Sequence, residues 1–78
     1  MNMQQHKPIT AKELEYLVDS MSNEDLLMKQ CTAAAFSTQN QNVRSACLHM
    51  LDLHQQHYHT LMNTLQQHYQ MAPTQPQQ

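Results

Sequence analysis

The chain contains no glycine, and its three prolines stand at positions 8, 73 and 76, close to its two ends. Sheet proteins reverse their strands through positive-φ residues, a conformation that glycine takes with no steric penalty. The long interior lacks both that turn-maker and the residue that breaks helices, so long helices are what such a chain can build. Its 78 residues allow one domain at most, and a small one whose core is marginal if the chain folds alone.

Composition narrows the function classes. Four Lys and Arg residues face six Asp and Glu, which leaves no electrostatic footprint for nucleic acid. No apolar run approaches the length of a membrane span. The N-terminal "MNMQQHKPIT" lacks the apolar core of a signal peptide, so synthesis and retention in a cytosol are expected. Polarity comes from Gln and Asn more than from charge, which suits a protein packed into an assembly. Neither Cys31 nor Cys47 belongs to a Cys-x-x-Cys motif. Both read as reduced thiols on helix faces, with a bond between them or between chains as the alternative.

Residues 1–9 read as an extended arm. Thr10 followed by Glu13 has the form of a capping box, and Ile9 is placed to staple against Leu14. The first helix is expected over about 11–38 and the second over about 42–70, within a hairpin unit of 10–72. Between them "STQNQN" is the single polar break, with Asn40 or Asn42 as the second N-cap. The Pro- and Gln-rich segment 73–78 reads as a disordered tail.

At 100° per residue, Leu17, Ser20, Met21, Met28, Cys31 and Ala35 lie within about 60° of Glu24. A carboxylate therefore stands in the middle of the apolar stripe. On the second helix, Val43, Ala46, Met50, Leu53, His54, Leu61, Thr64 and His68 gather around His57, again within about 60°. Leu51, Tyr58, Met62 and Tyr69 form a flanking stripe, while His49 and His59 point away. Two helices of roughly 42 Å cannot cover faces this wide, at 1.5 Å per residue. The expected fold is an all-α antiparallel hairpin that dimerises into a four-helix bundle. Leu17, Met21, Met28, Met50, Leu53, Leu61, Tyr58 and Met62 supply its core and dimer faces.

In such a hairpin, residues equally far from the turn face one another. Cys31 and Cys47 lie near the turn, and seven residues further along each helix stand Glu24 and His54, with His57 a turn beyond. A mid-stripe carboxylate needs partners, and imidazoles serve either as hydrogen-bond donors or as metal ligands beside it. A polar seam that fixes the register of the bundle is the preferred reading, and a metal site at Glu24, His54 and His57 is the alternative. His68 lies further along and reads as a cap on the helix end. No Gly-rich loop and no nucleophile–base–orienter set is present, so no enzyme is expected.

The segments "ELEYLVDSMSNEDLLMKQCTAAA" and "LHMLDLHQQHYHTLMNTLQQHYQ", with the polar break between them, resemble the spore coat F family of spore-forming Firmicutes. The likeness spans roughly residues 11–72 and is most specific in "HQQHYHTLMNTLQ". It implies half of a ferritin-like bundle, in which one helix offers a Glu and the other a Glu-x-x-His. On that pattern Glu24 takes the first place, His57 the histidine place, and His54 stands where a bridging Glu would be. One carboxylate with two imidazoles favours Zn, Cu or Ni over a di-iron centre, and no cofactor is the first expectation. The resemblance implies a non-catalytic structural protein, made in the mother cell or forespore and placed in the spore coat. It would act as a homodimer, with other coat proteins as further partners. A metal-binding four-helix protein and an adaptor for a longer coat F paralogue are the alternatives.

Overall fold

A computed structural model describes the chain from Pro8 to Met71. It contains two α-helices, α1 over Ala11–Ser37 and α2 over Gln41–Met71. The expected bounds agree to within one residue. The expected tail lies outside the described residues, as does most of the arm; Pro8 and Ile9 are non-helical.

Both helix starts follow from local chemistry. The Glu13 N–H donates to Thr10 Oγ1 at 3.0 Å, and the Thr10 N–H donates to Glu13 Oε1 at 2.8 Å, closing the capping box. At the second start it is Asn40 that caps, its Oδ1 accepting from the Val43 N–H at 3.0 Å. The connection is therefore only Thr38 to Asn40, too short for anything but antiparallel neighbours.

A feature not anticipated in the sequence closes the turn. Arg44, the chain's single arginine, reaches back from α2 to the end of α1. Its Nε donates to the Ala35 carbonyl at 3.1 Å and its Nη2 to the Thr38 carbonyl at 2.6 Å. The last turn of α1 carries no basic residue of its own, so Arg44 supplies both the missing donors and the favourable charge there.

The seam between the helices is a strict heptad pattern. On α1 it comprises Leu14, Leu17, Met21, Glu24, Met28, Cys31 and Ala35, spaced alternately by three and four residues, all buried or half-buried. On α2 it comprises Arg44, Cys47, Leu51, His54, Tyr58, Leu61, Leu65 and His68, all half-buried. The expected stripe around His57 is thus displaced. Residues 54 and 57 are 300° apart along a helix, so the seam centre lies about 60° from where it was placed. Leu51 and Tyr58, expected to flank, sit in the seam, and Leu65 joins them. Val43 and Met50, expected at the centre, are 44% and 43% exposed. Leu53, Leu61 and Met62 are half-buried, Ala46 and Thr64 exposed. Helix 2 carries two overlapping apolar stripes, and a wheel drawn around either one looks amphipathic.

Among the described residues only Leu17, Met21 and Ala35 are buried hydrophobics. Two helices touch along one line, and each seam side chain is covered from one side only. The hairpin positions its polar layer firmly but leaves much apolar surface in water.

Candidate polar and metal-ligand site

Halfway along the seam the apolar layers are interrupted by a carboxylate from α1 and two imidazoles from α2. His54 Nδ1 lies 2.6 Å from Glu24 Oε1, and His57 Nδ1 lies 3.5 Å from the same oxygen. Glu24 and His54 belong to one heptad layer, so the side chains meet across the helix pair without leaving their rows. His57 is three residues after His54 and therefore one turn along, on the same side of α2. The two rings stand nearly perpendicular at 77°, with centroids 5.8 Å apart.

Exposure separates the two histidines. The side chains of Glu24 and His54 are 19% and 12% exposed, whereas His57 is 56% exposed. His54 is thus the inner partner and His57 the rim, the reverse of a helix centred on His57. An ionised carboxylate only accepts, so the His54 Nδ1–H is the donor of the short bond. A hydrogen bond to a charged group in a half-buried setting contributes about 1.5–3 kcal/mol, and its loss strands the acceptor. The 3.5 Å contact from His57 is at the outer limit and contributes far less.

The same three residues form a potential ligand set. One donor atom from each lies within 4.8 Å of the other two, and this is the one grouping of its kind among the described residues. Nitrogen and carboxylate donors on two facing helices are what a borderline divalent cation takes from a helix pair.

The remaining candidates are dispersed. His49 and His59 are exposed, as expected. His68 lies in the last turn of α2 but also in the seam, where its Nδ1 is enclosed without a hydrogen-bond partner among the described residues. Cys31 and Cys47 are free, half-buried thiols. They stand one heptad nearer the turn than the Glu24–His54 layer. Arg44, which closes the turn and lies outside this site, is the residue that pattern reading missed; a lone arginine just inside a helix start, after a helix lacking a basic C-terminal turn, was the available signal.

No protein-family model matches the chain, nor does any curated protein or solved structure. Among the described residues no helix is long and apolar enough to cross a membrane.

Proposed function

We propose that this chain is a small structural assembly protein whose hairpin completes a four-helix bundle with a second copy, in the manner of a coat F-like component of the spore coat. The observation that carries the proposal is the mismatch between core and surface. Three buried hydrophobics stand against exposed Leu26, Leu27, Leu48, Met50, Tyr16 and Phe36 among others. An apolar surface on this scale marks an interaction face. A lone two-helix pair is also too small to offset its ordering entropy with so little buried area. The low-charge, Gln-rich surface fits dense packing in a layer, and the resemblance of "HQQHYHTLMNTLQ" to coat F sequences supplies the setting.

Light scattering across a dilution series tests the assembly. A dimer that unfolds as it dissociates is expected, because folding and association draw on the same apolar surface. A folded monomer at micromolar concentration overturns it. A hairpin that folds only when a longer coat F-like chain is added points instead to the adaptor role. The setting is tested by tagging the protein, which is expected in the coat fraction of spores; its presence in vegetative cells alone removes the coat reading.

A further inference from the structure

We propose that Glu24, His54 and His57 form a mononuclear site for a borderline divalent cation, zinc in particular, that pins α1 to α2. The proposal stands on the hairpin geometry and does not require the dimer. Zinc–nitrogen and zinc–oxygen bonds of about 2.0–2.1 Å in a tetrahedron place neighbouring donors about 3.3 Å apart. His57 Nδ1 and Glu24 Oε1 are already at that spacing, at 3.5 Å. The 2.6 Å hydrogen bond between His54 Nδ1 and Glu24 Oε1 has to open by less than about 1 Å. The remaining closure falls on His57, whose exposed side chain is free to turn, since all three donors lie within 4.8 Å.

The chemistry is consistent with that small movement. In the metal-free hairpin the proton between His54 and Glu24 does the work that a cation would do, holding an acceptor to a nitrogen. Coordination through Nδ1 moves the proton of a neutral imidazole to Nε2, so the ring stays neutral. One carboxylate then leaves the divalent site with a single net positive charge. Two nitrogens and one oxygen suit zinc, copper or nickel better than the oxygen-rich cages of magnesium or calcium. Three protein ligands leave a fourth position for water on the open side, where His57 meets solvent.

Because the ligands come from both helices, binding must stabilise the hairpin, and this separates the site from adventitious histidine binding. The test is titration of the chelated and dialysed full chain with zinc alone, read by calorimetry and by the thermal midpoint. Cobalt substitution supplies an absorption spectrum that reports coordination geometry. One zinc per chain and a raised midpoint are expected. His57→Ala, at an exposed position outside the seam between α1 and α2, is expected to weaken binding by at least about 100-fold. Glu24→Gln should weaken it similarly. His59→Ala, on the outer face, should leave binding unchanged, as should the Cys31→Ser/Cys47→Ser pair. Zinc that binds His57→Ala as tightly as the parent chain, that leaves the midpoint unmoved, or that requires the cysteines overturns the site. Absence of stoichiometric binding to the parent chain does so outright.

Discussion

At the scale of single residues, the Glu24–His54 pair is the side-chain hydrogen bond that joins α1 to α2 midway along the seam. Its two side chains are mostly withdrawn from water and bonded at 2.6 Å, so removing one partner strands the other. His54→Leu is therefore expected to destabilise the metal-free hairpin by about 2 kcal/mol, through the unpaired carboxylate. Replacing both, Glu24→Leu with His54→Leu, should recover most of that loss, because a matched apolar layer carries no desolvation penalty. His57→Leu should lie within about 0.5 kcal/mol of the parent, since its ring is already largely in water. Denaturant melts at one fixed protein concentration check all three; a costly double variant would show that the pair does more than satisfy itself. The trio itself was legible in the sequence, because distance from the polar break is a reliable ruler in a hairpin. Which histidine lies inside was not. A 60° rotation of a helix leaves its hydrophobic periodicity unchanged, and only the partner helix breaks the tie.

At the scale of elements, capping chemistry was readable because it is local: Thr10, Glu13 and Asn40 act within four residues of themselves. Arg44 was not, because its acceptors lie on the preceding helix, beyond the reach of any local pattern. The heptad register between the helices makes a further, covalent prediction. Glu24 faces His54, and Cys31 and Cys47 stand seven residues from each toward the turn, so the two thiols belong to one layer. Peroxide treatment should oxidise them to an intramolecular disulfide. One thiolate attacks the peroxide oxygen and expels water, and the second attacks the resulting sulfenic sulfur and releases another. Each chain would lose two hydrogens in mass and stay monomeric on denaturing, non-reducing gels. Closing a loop of this length is worth about 3 kcal/mol, so the thermal midpoint should rise by roughly 12–24 °C. Covalently linked dimers, or thiols over-oxidised without pairing, would show that the layers are offset from this register.

At the scale of the whole molecule, the hairpin has two flanks, and the proposed pairing with a second copy is better served by one of them. On the first flank, helical spacing sets Leu27 and Ala34 of α1 on the same side as Val43, Met50 and Leu53 of α2, and the groove beyond is lined by Ile9, Tyr16, Leu17 and Leu61 together with the Glu13 carboxylate. The opposite flank carries Val18, Met21, Tyr58 and Leu65 but also Asp25, whose carboxylate pairs with Lys29 at 3.0 Å. That exposed ion pair adds little stability to the helix, yet covering it with a partner would strip its water and gain nothing in return. The first flank has no such charge along its turn-proximal half, and it borders the Glu24 layer through His57. A dimer across it would place the two polar layers on either side of one two-fold axis. Met50→Glu puts a charge on that flank at a position already 43% exposed, so the hairpin itself loses little. The dissociation constant of the proposed dimer is expected to rise by two orders of magnitude or more, since each copy would bury a carboxylate near its symmetry mate, at several kcal/mol. Leu48→Glu, at 50% exposure on the opposite flank, is the matched control and should leave the dissociation constant within about threefold. Sedimentation equilibrium of both variants decides between the flanks. If Leu48→Glu separates the copies and Met50→Glu does not, the bundle closes across the flank with the ion pair.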